Sequence, residues 1–278
     1  MSSDIHSLTG QTAWVTGSSR GIGKVVAAHL ASLGAKVAVH GTTPTSARAF
    51  GEGASLQAVA DSIAADCGAE TLPVYGNLTK EEDVHRIAEE IRAKWGRIDV
   101  LVCVAGGDIG VAGTGGLQGG RPQGNDPIHM SVEDIRTVLD RNILTCILCC
   151  REVAPEMMAR KSGRIVTTGS IAGLYGRPEG AIYGTAKAAV HQYTRALATQ
   201  LRPYNVCVNC IAPGDIVTPR LLATRHVEPE RLIEDGTVVR CGRPMEIARL
   251  VEYLVTPANT YITGQVIRID GGSQAWPC

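Results

Sequence analysis

The feature that most constrains this chain is the alternation of short, continuously apolar runs with stretches of helical length and period. The runs are QTAWVTG (11–17), AKVAVHG (35–41), TLPVYG (71–76), IDVLVCVAG (98–106), GRIVTTGS (163–170), NVCVNCIAPG (205–214) and GQVIRIDGG (264–272). Helical patterns lie between them near 21–33, 54–66, 80–94, 131–158, 181–202 and 244–255. A strand with one face in water alternates apolar and polar residues. A run that stays apolar belongs to a parallel sheet covered on both faces. Seven such runs with helices between them predict an α/β fold, a doubly wound sandwich with a seven-stranded, mainly parallel sheet and helices on both faces. The length of 278 residues is near the upper size for one hydrophobic core, so a single domain over 1–278 is expected. One low-complexity stretch, GGDIGVAGTGGLQGGRPQGND (106–126), reads as a glycine-rich loop.

Several function classes are disfavoured. Lys+Arg and Asp+Glu are both 27, so the formal charge is zero and there is no electrostatic footprint for nucleic acid. The opening MSSDIHSLTG lacks the apolar core of a signal peptide, and ILTCILCC (143–150) is too short to span a bilayer, so no membrane association is expected. Nine cysteines include two C-x-x-C pairs, Cys146/Cys149 and Cys207/Cys210. The first pair sits in a helical apolar stretch, and the second falls on opposite faces of a strand. No histidine or acidic cluster beside either pair completes a ligand set, so the cysteines read as small buried hydrophobes in a reduced, cytoplasmic protein, with no metal.

The first strand runs into TGSSRGIG (16–23), with Gly17, Gly21 and Gly23 leading into a helix and Ser19, Arg20 and Ile22 between them. Such a turn lets the backbone approach a pyrophosphate, which sits on the positive end of the helix. An NAD site usually places an acid near the end of the second strand, against the ribose 2′-hydroxyl. Here that strand ends HGTTPTSAR, with no acid between His40 and Arg48. Arg20 offers a guanidinium for a 2′-phosphate, and Thr42 and Thr43 offer hydroxyls. NADP(H) is therefore expected, with NAD(H) as the alternative.

In TGSSRGIG, YGTAK (183–187), APGDIVT (212–218) and ITGQVIRIDGG (262–272), the chain resembles the short-chain dehydrogenase/reductase family in its single-domain form. The motifs run in the family's order over almost the whole length. The narrower likeness is to 3-oxoacyl-(acyl carrier protein) reductases and related carbonyl reductases, and it implies a Rossmann-type sandwich. Tyr183 and Lys187 are four apart on one helix and so share a face. A phenol near an ammonium can serve as a general acid/base. Ser170, at the carboxyl end of a strand, has a hydroxyl able to hydrogen-bond a carbonyl oxygen. Tyr175 has no such lysine and reads as a pocket wall. The resemblance adds Asn142 in LDRNIL, which in the family holds a water that relays protons to the lysine. It also adds Pro213, Gly214, Ile216 and Thr218 in PGDIVT, where Ile216 and Thr218 would hold the nicotinamide end, and it lets Lys187 reach the ribose hydroxyls.

The chain departs from the family pattern in two places. Cys103-Val104-Ala105-Gly106 replaces the usual Asn-Asn-Ala-Gly, which removes amides that brace the sheet while leaving Ala105 and Gly106 to line the cofactor. Asn77-Leu78 stands where Asp-Val or Asp-Leu is usual, and the Asn77 amide oxygen is expected to accept from the adenine amino group.

The expected function is hydride transfer between a nicotinamide cofactor and a ketone or secondary alcohol, with Tyr183 as acid/base. The alternatives are an NAD-dependent sugar or polyol dehydrogenase, and a cofactor-binding regulatory protein without chemistry. The 36 residues from Gly106 to Asn142 include an insertion, and 107–128 is expected to act as a substrate loop. Residues 217–240, with Arg220, Arg225 and His226, are expected to form a lid over a small-molecule substrate. The resemblance implies a homotetramer paired through helices 131–158 and 181–202.

Overall fold

The computed structural model describes residues 5–275; Cys278 lies outside them. Seven strands form one sheet in the order β3-β2-β1-β4-β5-β6-β7, and every pairing is parallel. They are β1 (Thr12–Thr16), β2 (Lys36–Gly41), β3 (Thr71–Tyr75), β4 (Val100–Cys103), β5 (Gly163–Thr168), β6 (Val206–Pro213) and β7 (Val266–Ile269). The main helices are α1 (Gly21–Ser32), α2 (Leu56–Cys67), α3 (Glu81–Trp95), α5 (Val132–Leu139), α6 (Thr145–Arg160), α7 (Ala181–Leu201) and α9 (Pro244–Val255). Two shorter ones, α4 (Leu117–Gly120) and α8 (Pro219–Thr224), lie in loops.

The apolar runs explain the layering. All of β1 and β4 is buried, because each strand has helices against both faces. On one face α3, α6 and α7 pack through Ile87, Ile91, Cys149, Val153, Val190 and Leu201. On the other, α1, α2 and α9 pack through Val26, Leu30, Val59, Ile63, Val251 and Leu254. Burying each of these larger side chains contributes about 1.5–3 kcal/mol. β1 pairs with β2 on one side and β4 on the other, so the chain winds outward in both directions from this pair. That switch point opens a crevice at the carboxyl ends of the strands, where doubly wound sheets bind ligands.

The fold departs from the sequence reading in a few places. The expected helix 131–158 is continuous, but Asp140–Leu144 forms a π turn between α5 and α6. The final run pairs only over Val266–Ile269, because the Asp270 carboxylate accepts from Gly272 N and Gln274 N and turns the chain away. Within the apolar stretch 143–150, Cys146, Leu148, Cys149 and Cys150 are buried in this chain's own core, while Ile143, Leu144 and Ile147 are half-buried. The thiols of Cys103, Cys146 and Cys150 lie within 4.8 Å of one another there.

The glycine-rich insertion has a defined course. Gly110 N donates to Gly120 O at 2.9 Å and pinches off the tip. Asp134 Oδ1 accepts from Val111 N, and Asn125 O accepts from Gly180 N, both at 2.9 Å, tying the loop to α5 and the start of α7. A Cβ on Gly119 would stand 3.0 Å from Thr224 and 3.5 Å from Phe50. The insertion therefore bridges α8 and the connection between β2 and α2. The lid region consists of α8, a single turn at Pro229–Arg231 and irregular chain.

Candidate active site

A cleft of about 500 Å³ occupies the switch point. From the first turn it takes Gly17, Ser19, Arg20, Gly21, Ile22 and Gly23. From the ends of β2, β3 and β4 it takes Thr42, Asn77, Leu78, Ala105 and Gly106, and from the other side Tyr183, Lys187 and Thr218. Fourteen residues read from the sequence are thus brought to one cavity.

The turn is built by close approach. Gly17 has φ +65°, and a Cβ on it would stand 2.8 Å from the Ala105 backbone. A Cβ on Gly23 would overlap the Gly17 carbonyl. Only glycine lets the turn, β4 and α1 pack this tightly. Thr16 Oγ1 accepts from Val104 N and Ala105 N, both at 3.0 Å, a brace between β1 and β4 where Cys103 and Val104 offer no amide. His40 Nδ1 accepts from Gly17 N at 3.0 Å, and Nε2 donates to Gly76 O at 3.1 Å. Burial pushes His40 down to about 4, so it is neutral near neutral pH, in the tautomer these partners require.

The α1 N-terminus fits an anion. The N–H groups of Ile22 and Gly23 have no acceptor among the described residues, and both residues line the cleft. The N–H of Gly21 is taken by Glu52 Oε2 at 2.6 Å. The other oxygen of Glu52 is buried without a partner. Arg20 donates to Ser46 O at 2.8 Å and lies 5.8 Å from the Phe50 ring centre, with Glu52 acting on it electrostatically. Burial pushes the Arg20 guanidinium below its ordinary value. Sequence reasoning missed Glu52, because it lies eleven residues beyond the end of β2, in a connection with no motif.

Asn77 corrects one expectation. Its Oδ1 accepts from both the backbone N–H (3.1 Å) and the hydroxyl (2.9 Å) of Thr79, so the acceptor meant for an adenine amino group is already used.

Of the four residues read as catalytic, Tyr183 and Lys187 share this cleft, Ser170 borders a second cavity with Tyr183, and Asn142 lines neither. Lys187 is buried; its Nζ donates to Thr168 O at 2.7 Å and lies 5.6 Å from the Tyr183 ring centre. Asn142 lies in the π turn. Its Oδ1 accepts from Gly107 N at 2.8 Å, while Nδ2 donates to Gly107 O at 2.9 Å and Val138 O at 2.8 Å. The side chain thus clamps the chain leaving β4: both Nδ2 hydrogens are used, while Oδ1 accepts one of the two hydrogen bonds it can take. Ser170 lies two residues beyond β5 rather than at its end, and its Oγ accepts from Ala172 N at 3.1 Å. Its backbone N–H donates to His191 Nε2 at 3.3 Å, a buried imidazole that burial pushes down to about 4. His191 was not singled out from the sequence and carries no motif signal.

Tyr183 also borders a second cavity of about 570 Å³, lined by Ser170, Tyr175, Gly214, Asp215 and Gln274. Gly214 N donates to Ile269 O at 3.0 Å, which sets the turn after Pro213 at the end of β6. Ile216 is buried and bridges to Gly242 rather than lining either cavity. Thr218 Oγ1 caps α8 by accepting from Leu221 N at 3.1 Å.

The fold and this cleft are those of a nucleotide-binding oxidoreductase. The family model described as short chain dehydrogenase matches residues 11–228. The chain is 36% identical over 271 residues to a cyclohexanol dehydrogenase of Rhodococcus sp. (strain TK6), covering 95% of this chain and 96% of that one. It is 36% identical over 266 residues to a 3-oxoacyl-[acyl-carrier-protein] reductase of Synechocystis sp., covering 95% and 97%. Among solved structures, a 7α-hydroxysteroid dehydrogenase complexed with NADH and 7-oxo glycochenodeoxycholic acid superposes with TM-score 0.81 at 29% identity, covering 98% of this chain and 97% of that one. The chain belongs to the short chain dehydrogenase family. No helix among the described residues is long and apolar enough to cross a membrane.

Proposed function

We propose that this protein moves a hydride between a nicotinamide dinucleotide and the carbon of a ketone or secondary alcohol, with Tyr183 as general acid/base. The observation that carries this reading is the place of Tyr183 between two cavities. On one side stand Lys187 and the glycine turn; on the other stands Ser170. A dinucleotide held by the turn and the α1 N-terminus supplies or takes the hydride. Ser170 hydrogen-bonds the substrate oxygen, and Tyr183 gives that oxygen its proton or removes it. The Lys187 ammonium favours the charge that develops on the phenolic oxygen. Asn142 keeps the chain after β4 in place, and Ile216 and Thr218 anchor the segment toward the nicotinamide end.

NADP(H) is the cofactor this reading favours, supported by Arg20 and Thr42 in the cleft. A second reading, an NAD-dependent sugar or polyol dehydrogenase, is favoured by Glu52, an acid with a free oxygen in the same cleft. A regulatory protein without chemistry would have no need for the assembled Ser170, Tyr183 and Lys187. Family likeness supports a homotetramer of single catalytic domains, and the cysteine-rich core supports a cytoplasmic location. A panel of cyclic and linear ketones and alcohols, assayed with NADPH and NADH, tests the reading. Turnover of at least one carbonyl compound is expected, and none across the panel with either cofactor contradicts it.

A further inference from the structure

Arg220 opens α8 and lines the cleft beside Tyr183 and Lys187. Its Nη2 donates to Asp108 O at 2.7 Å, its Nη1 faces Gly107, and its Nε is buried without a partner. No carboxylate among the described residues lies within 4.0 Å of this guanidinium. Other arginines of the lid differ. Arg225 and Arg231 pair with Asp215 at 3.1 and 3.2 Å, and Arg240 pairs with Glu246 at 2.6 Å. The nearby Asp108 carboxylate is turned instead toward Asn125 at 2.7 Å and Arg121 at 3.5 Å. Arg220 is therefore a part-buried cation facing the catalytic cavity with no carboxylate paired to it; burial pushes it below its ordinary value, and the Asp108 charge acts on it only from a distance. Such a charge is costly until an anion meets it, and a guanidinium fork suits the paired oxygens of a carboxylate or phosphate.

We propose that Arg220 is an anion receptor at the catalytic end of the cleft, taking a carboxylate or phosphate oxygen pair. Two ligands could bring one: an acid group on the substrate, or the pyrophosphate of the cofactor. The inference rests on the oxidoreductase reading only for the identity of these ligands.

Two variants test it. Arg220→Met removes the charge at similar length. Arg220→Gln removes it while keeping a donor for Asp108 O, and it serves if the first variant does not fold. Both are compared with wild type for cyclohexanone and 4-oxocyclohexanecarboxylate, as the ratio of kcat/KM for the acid over the neutral ketone. Inorganic pyrophosphate, NADPH and the keto acid are also titrated into each protein by calorimetry, a measurement independent of turnover. A tenfold or greater fall in the ratio and in keto-acid affinity, with pyrophosphate affinity held, supports the receptor and assigns it to the substrate. A tenfold or greater fall in pyrophosphate and NADPH affinity, with the ratio held, supports it and assigns it to the cofactor. If neither ratio nor any affinity changes by more than twofold, Arg220 is only a strut between α8 and the insertion, and the proposal is overturned. Absence of turnover in wild type would sink the oxidoreductase reading alone, because the titrations still decide whether Arg220 meets an anion.

Discussion

Lys187 Nζ lies 5.6 Å from the centre of the Tyr183 ring, one turn along the same helix, and is held by a 2.7 Å hydrogen bond to Thr168 O at the end of β5. The sheet thus fixes the ammonium, and the helix fixes the phenol against it. Lys187→Met keeps most of the packing and deletes the charge. The expected result is a fall in kcat of at least about 100-fold, within the usual scale for a group assisting proton transfer. Steady-state kinetics beside a thermal melt checks this. A folded variant with kcat within a few-fold of wild type would remove Lys187 from the mechanism.

Arg20 and Glu52 act in opposite senses on a cofactor carrying a 2′-phosphate. Arg20→Ala is expected to narrow the preference for NADPH over NADH, and Glu52→Gln to widen it, each by about tenfold, or about 1.4 kcal/mol. Equilibrium titration of both cofactors into both variants decides the matter. Wild type binding NADH more tightly than NADPH would favour the NAD-dependent reading, and equal shifts for the two cofactors would show that neither residue reads the 2′ position.

Much of this was legible in the chain, and what was not has physical causes. The seven strands were readable because strands buried on both faces are apolar throughout, and Gly17 and Gly23 were readable because backbone contact excludes any side chain. Tyr183 and Lys187 were readable from helical period. The π turn at Asp140–Leu144 was not, since one added residue in a turn leaves almost no trace in apolar spacing. Glu52 was not assignable either, since it comes to the cleft on an irregular segment; Arg220 was readable as a lid residue, but its lack of a paired carboxylate depends on the packing of α8 against the insertion. The double use of Asn77 Oδ1 by Thr79 likewise depends on local geometry that residue identity does not encode.

His40 and His191 both have their proton affinity pushed down to about 4 by burial, against 6.5 in an exposed histidine. Below about pH 6.5 the unfolded chain takes up protons that the native protein refuses. Stability present above that value is therefore lost as pH falls toward 4. Between pH 6.5 and 5 the loss should be about 1.6 kcal/mol per histidine. Denaturant unfolding across that range should show the slope, and His40→Gln should reduce it to roughly half. A flat profile in wild type contradicts the neutral, buried state of these rings.

The insertion spans from the β2–α2 connection to α8, with its tip closed by the bond from Gly110 N to Gly120 O. Removing 111–119 and joining the ends across that bond should change KM or substrate preference by several-fold. NADPH affinity should stay within about threefold, and the melting temperature should move little, because a shorter loop costs little to close. Unaltered kinetics across the substrate panel would show that the bridge has no part in substrate selection.

The account stands or falls on Tyr183. Replacing it with phenylalanine removes one oxygen and leaves the helix, Lys187 and the glycine turn in place. Single-turnover mixing of Tyr183→Phe with NADPH and a ketone that wild type reduces, followed at the nicotinamide absorbance, measures hydride transfer directly. The expected result is a rate at least about 1,000-fold below wild type, with NADPH affinity retained. Transfer within a few-fold of the wild-type rate would contradict the assignment of Tyr183 as the acid/base.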